Sequence, residues 1–149
     1  MRKHPSPPPL RSPREPLGGY IILPRLIDKI RLHARGELPP EYHGNLLKPG
    51  RTLDAWFLTF TGLDGEQLQQ AILSAGSNEE VLAWVEQHAV PHTADEKKEW
   101  ADRIAAYRPD AEGAKSRKQN YPELSARLDI ASLCVFDMID MDEGRMPVG

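Results

Sequence analysis

The sequence has almost no cysteine: Cys134 is one residue in 149. An internal disulfide is therefore excluded, which fits a reducing compartment. No basic residue flanks Cys134 in sequence, so it reads as an inert, core-type thiol. No apolar run approaches the roughly 18 residues that a membrane span needs. Prolines, rather than an apolar stretch, follow the basic start, which argues against a secretory signal. Together these absences predict a cytoplasmic protein with no membrane partner. Charge of one sign is also scarce, with a formal net charge of −3, which argues against nucleic acid as a partner. Arg108, Lys115, Arg117 and Lys118 form only a modest basic stretch. Neither an alternating strand pattern of useful length nor an internal repeat appears.

What is present is an ordinary globular composition, 40% hydrophobic and 28% charged. A chain this long buries a core without disulfide or metal. Six of the 14 prolines fall in residues 1–16. Proline lacks the amide donor and fixes φ, so this segment reads as an extended, polyproline-like arm and a docking point for a protein partner. Residues 17–149 then read as one domain. Charge is uneven: residues 1–16 carry four bases and one acid, and residues 129–145 carry five acids and one base.

Helical spacing dominates the rest of the chain. Leu23, Leu26, Ile27, Ile30 and Ala34 form one apolar stripe, with Pro24 in the first turn and Gly36 as the stop. Asp28 has Arg31 and Arg35 as candidate partners on the outer face. Residues 41–51 read as a loop. A short helix over residues 53–60 would turn Leu53, Trp56, Phe57 and Phe60 inward. Asp64 with Gln67, Ser77 with Glu80 and Thr93 with Glu96 are capping boxes, each beside an apolar stripe. The stripes are Leu68, Ala71, Ile72 and Ala75, then Val81, Trp84, Val85 and His88, then Trp100, Ala101, Ile104 and Tyr107. Residues 108–122 read as a loop with about one helical turn. Residues 124–141 read as a last helix or two short ones, with Leu128, Leu133, Phe136 and Ile139 inward. The pattern predicts a mainly α fold: a compact single-domain bundle of about five to six short helices behind the proline-rich arm.

Three segments carry candidate chemistry. Gly18-Gly19, a flexible joint before a helix start, can expose backbone amides to an anion, with Tyr20, Arg25 and Lys29 beside it. It lacks the spacing of a P-loop. Tyr42-His43-Gly44-Asn45 offers donors and acceptors on one loop, and His43 is a candidate general base near neutral pH. Asp137, Asp140, Asp142 and Glu143, followed by Arg145, place several carboxylates together. That set suits a divalent ion or, preferably, ion pairing with Arg25, Lys29 or Arg31. His88 and His92 do not make a zinc site, because Pro91 breaks the helix that would align them. The reading assigns no metal site and leaves any cofactor unknown.

The same segments resemble a known family. Leu10-Arg-Ser-Pro-Arg14, Leu17-Gly-Gly-Tyr20, Leu23-Pro-Arg25, Ile27-Asp-Lys29 with Arg31, Gly36-Glu-Leu-Pro39, Tyr42-His43 with Asn45, and Asp140 through Arg145 are similar to DUF5069, a bacterial family of unknown function. The middle of the chain matches more loosely, at Leu53-Asp54, Phe57-Leu58, Phe60, Gly62 and Trp84. The resemblance implies a bacterial cytosolic protein and no particular reaction. Two functions stand as expectations. In the first, a small polar or anionic ligand binds in a cleft between the N-terminal helix, the Tyr-His loop and the acidic C-terminal segment. His43 and Asp142 would then be catalytic candidates, and Tyr20, Arg25, Lys29, Tyr42, Asn45, Glu143 and Arg145 ligand contacts. In the second, the chain is a non-catalytic interaction or scaffold domain, and its polar residues form an internal salt-bridge network. Whether it is an enzyme stays open.

Overall fold

A computed structural model describes residues 10–48 and 52–146, leaving aside the side chains of residues 41 and 45. The proline-rich arm lies largely outside the described residues, over 1–9. Among the described residues the fold is mainly helical. The helices are α1 (Leu23–Ala34), α2 (Leu53–Thr61), α3 (Gly65–Ser74), α4 (Asn78–His88), α5 (Ala94–Ala106), α6 (Ala111–Asn120), α7 (Pro122–Ser125) and α8 (Val135–Asp142). Short 3-10 helices cover Pro40–Asn45 and Ile130–Ser132. The chain divides into two compact units, residues 13–97 and residues 1–12 with 98–149, and the boundary falls within α5.

The unit of residues 13–97 opens with a ribbon that the residue pattern does not predict. Strand β1 (Pro16–Leu17) pairs antiparallel with β2 (Tyr20–Ile21), Leu17 opposite Tyr20. Gly18 and Gly19 have φ of 59° and 84°, the left-handed pair that a two-residue type I′ hairpin turn demands. The glycine pair is therefore a specified turn and not a flexible joint. Two-residue strands are too short to show any alternation.

After the ribbon, α1 lays Leu23, Leu26, Ile27 and Ile30 into the core, each at most 1% exposed. It packs against α3, and α3 against α4. The core-facing residues of those two helices are Leu68 and Ile72, then Val81 and Val85, all fully buried. Ala71, Ala75 and Trp84 are only half-buried and His88 is exposed, so both stripes are narrower than the spacing predicts. In α2, Phe57 is buried while Leu53, Trp56 and Phe60 are half-buried. The buried face of α2 is instead Asp54, Phe57 and Thr61, at spacings of three and four, with Ala55 beside them.

All three N-caps form, but only one is a complete capping box. Asp64, Ser77 and Thr93 side chains accept from the amides of Gln67, Glu80 and Glu96 at 3.0–3.2 Å. Only the third is reciprocal: the Glu96 carboxylate accepts from Thr93 N at 2.7 Å. The Glu80 carboxylate takes the amide of Gly76 instead. Helix α1 ends in a Schellman motif. Gly36 stands at φ 72°, the Glu37 amide donates to the Leu32 carbonyl, and that of Gly36 to His33.

In the unit that includes residues 98–149, Leu124, Ile130 and Met138 form the buried cluster. Phe136 is also buried, but Leu128, Leu133 and Ile139 are half-buried. Breaking the expected last helix into α7, a 3-10 turn and α8 shifts the phase of the apolar face. Residues 108–122 are not a loop either. Helix α6 starts where the Asp110 carboxylate accepts from Gly113 N at 2.8 Å. It escapes a hydrophobic-period reading because its one buried residue is charged. Arg117 donates to the carbonyls of Ile130 and Leu133, both at 3.0 Å. Burial lowers its pKa below the ordinary arginine value.

Candidate functional site

The candidate residues fall in both units, and each group is described within its own. In the unit of residues 13–97, Tyr20 is 1% exposed. Its ring sits edge-on to Phe57 and Phe60, with centroids 5.8 and 6.3 Å away. The Lys97 ammonium stands over the ring, 4.1 Å from its centre. The same ammonium donates to the Gly18 carbonyl and to Glu86, each at 2.9 Å. Burial, then the nearby Glu86 charge, raises the Tyr20 pKa. Lys97 thus clamps the Gly-Gly turn from α5, and the conformation of the turn positions Tyr20 inside the core.

Arg25 and Lys29, one turn apart on α1, are both buried. Lys29 Nζ donates to both oxygens of Asp54, at 2.8 and 2.9 Å. Asp54 Oδ2 also accepts from the amide of Leu47 at 3.0 Å. Leu47 has φ 57°, a conformation that non-glycine residues rarely adopt. One carboxylate therefore neutralises a buried cation and pins a strained turn. The Arg25 guanidinium carbon lies 5.7 Å from the centre of the Tyr42 ring, within cation–π range.

His43 follows on the 3-10 helix, exposed. Its Nε2 lies 2.9 Å from the carbonyl oxygen of Leu38. Only a protonated nitrogen can bond a carbonyl, so Nε2 carries the hydrogen and Nδ1 is left as an acceptor in the neutral ring. The His33 ring is 5.0 Å away, centre to centre, and perpendicular. The Asn45 side chain lies outside the described residues.

The acidic group belongs to the other unit. Asp140, Asp142 and Glu143 are all buried. A second Schellman motif ends α8: Gly144 has φ 82°, its amide donates to Met141, and that of Arg145 to the Asp140 carbonyl at 2.8 Å. This reversal brings the Arg145 side chain back beside its own helix. Arg145 Nη1 donates to Asp140 Oδ1 at 3.1 Å and to Glu143 Oε1 at 2.5 Å. Its Nη2 donates to the Leu10 carbonyl. Ser12 Oγ donates to Asp140 Oδ2 at 3.1 Å. The Asp-Glu-Gly-Arg run is thus a helix cap whose arginine joins two buried carboxylates to the Leu10 carbonyl, while Ser12 bonds one of those carboxylates.

A family model described as a domain of unknown function, DUF5069, matches residues 7–145. The chain belongs to the DUF5069 family. A comparison with curated proteins gives no match. Most of the motif residues singled out in the sequence make these contacts: the Gly-Gly turn with Tyr20, Arg25 and Lys29 on α1, Tyr42 and His43, and the Asp140–Arg145 cap.

Sequence spacing alone misses four participants. Asp54 reads as an ordinary acid in a first helical turn, although its spacing to Phe57 and Thr61 already places it on a buried face. Lys97 and Ser12 act across long sequence separations, which no local pattern reports. His33 sits in the last turn of α1, where a histidine reads as a helix-end charge. An open groove of about 650 Å³ lies between α3 and α4, lined by Gln67, Gln70, Ser74, Glu80, Trp84 and His88 among others. No residue assigned to the site from sequence lines it. Among the described residues, no helix is long and apolar enough to cross a membrane.

Proposed function

We propose that this chain is a non-catalytic interaction domain in which the charged residues of the motif segments close the fold. The observation that carries this reading is the burial of those charges in internal pairs. Lys29 and Asp54 side chains are 7% and 1% exposed and make a two-oxygen contact. Arg145 joins two carboxylates that are 6% and 2% exposed. A group that must meet a substrate has to be reachable, whereas these charges already have partners within the protein. Contact with a protein partner would then fall to the exposed surface or, by its composition, to the proline-rich segment.

The test replaces the Lys29–Asp54 pair with apolar residues of similar volume, Lys29→Met with Asp54→Leu. On the proposed reading the double variant folds and keeps whatever the wild type binds. A polar metabolite or anion that raises the melting temperature of the wild type but not of this variant would overturn it, because only ligands that prefer the native site stabilise the fold.

One observation favours a second reading, a small polar or anionic ligand. Arg25 and Tyr42 are in cation–π range, and the exposed His43 follows Tyr42 directly. Cation, aromatic ring and imidazole together suit a polar ligand with an acidic group. In that reading His43 exchanges a proton with the bound ligand. A melting shift by such a ligand, lost in His43→Gln and Tyr42→Leu variants, is the outcome that supports it.

A further inference from the structure

We propose that His33 and His43 form a surface site for a borderline transition-metal ion, with Zn²⁺ and Cu²⁺ as the cations it fits. The inference is independent of the function proposed above. It starts from the hydrogen bond between His43 Nε2 and the Leu38 carbonyl, 2.9 Å long. That bond fixes the tautomer and leaves the Nδ1 lone pair unprotonated. A metal-binding histidine is commonly held in this way, with one ring nitrogen donating to a carbonyl or carboxylate and the other facing the ion. Leu38 is itself buried, at 4% exposed, so the carbonyl that orients the ring sits on a packed residue.

The second imidazole is at the right range. A metal–nitrogen bond of about 2.0–2.1 Å places each ring centre about 3.2 Å from the ion, so two ligands at angles between about 90° and 109° have centres about 4.5–5.2 Å apart. His33 and His43 ring centres are 5.0 Å apart. Both residues are exposed, so an ion reaches them from solvent, and the His33 ring can turn toward the fixed His43 ring without disturbing the core. The backbones that carry them are defined. His33 lies in the last turn of α1, where its own carbonyl accepts from the Gly36 amide in the Schellman motif. His43 lies in the 3-10 helix that follows Pro39.

The chemistry of the donors selects the ion. Two imidazoles suit Zn²⁺, Cu²⁺ and Ni²⁺, with Cu²⁺ highest in the affinity order. Mg²⁺ and Ca²⁺ demand oxygen ligands and are excluded. No group of three or more His, Cys, Asp or Glu positioned for a metal occurs among the described residues. The site therefore supplies two protein ligands, and its other positions are open to water or to donor atoms of a bound molecule.

The experiment is titration of the full chain with Zn²⁺ by calorimetry, and with Cu²⁺ by electron paramagnetic resonance. The expected result is one Zn²⁺ site that weakens at least about tenfold in His33→Ala and in His43→Ala, and is unchanged in His88→Ala. The Cu²⁺ spectrum should show two imidazole nitrogens in the wild type and one in either variant. His33→Ala carries the decision, because an exposed ring with no part in the Leu38 bond is removable with the fold intact, which circular dichroism checks. Absence of Zn²⁺ binding in the wild type, or binding unchanged in His33→Ala, would overturn the proposal.

Discussion

Lys29 and Asp54, 25 residues apart, meet in a buried contact in which one ammonium serves both carboxylate oxygens. The third bond to that carboxylate, from Leu47 N, ties the turn after Asn45 to the start of α2. Removing one partner leaves an isolated charge away from water. Asp54→Ala is expected to cost about 3–5 kcal/mol, whereas exchanging both partners for apolar residues should cost far less. Urea unfolding of the single and double variants measures both. Equal losses in the two would show that the charge pairing is not what matters.

The second Schellman motif gives a smaller but cleaner effect. Gly144 at φ 82° has a conformation that an L side chain adopts only with strain. Gly144→Ala should destabilise the protein by about 1–2 kcal/mol. Gly144→Asn should cost less, since asparagine tolerates the left-handed region. If the two substitutions proved indistinguishable from wild type in thermal unfolding, the reversal that returns Arg145 to Asp140 would not be holding the cap.

How much of the fold and the candidate site is legible in the sequence depends on the range of each interaction. The N-caps and the α1 stripe involve neighbours three or four residues apart, and both are readable, although Ala34 at the end of the stripe is exposed. Gly36 and Gly144 are readable as helix stops, because a glycine one place past a helix end is itself a local signal. The Gly18-Gly19 turn reads wrongly as a joint because its strands are two residues long, although a glycine pair is a known hairpin signal. Helix α6 escapes because its buried residue is Arg117, whose stabilising bonds reach carbonyls 13 and 16 residues away. The same limit applies to Asp54 and Lys97. A charged residue buried by a distant partner looks, in sequence, like any solvated one.

The hairpin turn makes a prediction that separates its two glycines. A Cβ added at Gly18 would lie 2.5 Å from Leu82 Cδ1, and one at Gly19 would meet Lys97 Cδ at 3.1 Å. Both positions also require positive φ. Gly18→Ala is expected to cost more than Gly19→Asn, the former about 1–2 kcal/mol from backbone strain alone. The latter should be nearly neutral, because asparagine occurs in such turns and Lys97 is a flexible chain. Denaturant midpoints decide it, and the reverse order would show that Leu82 yields more easily than Lys97.

The pH prediction concerns the reciprocal cap at the start of α5. The backbone amide of Thr93 bonds the Glu96 carboxylate, and this bond is the main reason its pKa lies below the ordinary value of 4.5. Further lowering comes from the Thr93 hydroxyl and from His92, whose Nδ1 is 3.9 Å from Glu96 Oε1. A depressed carboxylate pKa means that the ionised form is preferred in the folded state. Its contribution is therefore complete above the unfolded value and disappears as pH falls through the lower folded value. Because Glu96 is exposed, the loss should appear as local fraying and not as global unfolding. The protection of the Thr93 amide and of the first turn of α5 against exchange, taken relative to the intrinsic rate at each pH, should fall as pH drops below the unfolded carboxylate value in the wild type. In Glu96→Gln, which cannot ionise, that acid-dependent step should vanish while exchange at the α1 amides stays as in the wild type. An acid step of the same size in Glu96→Gln would assign the titration to another group.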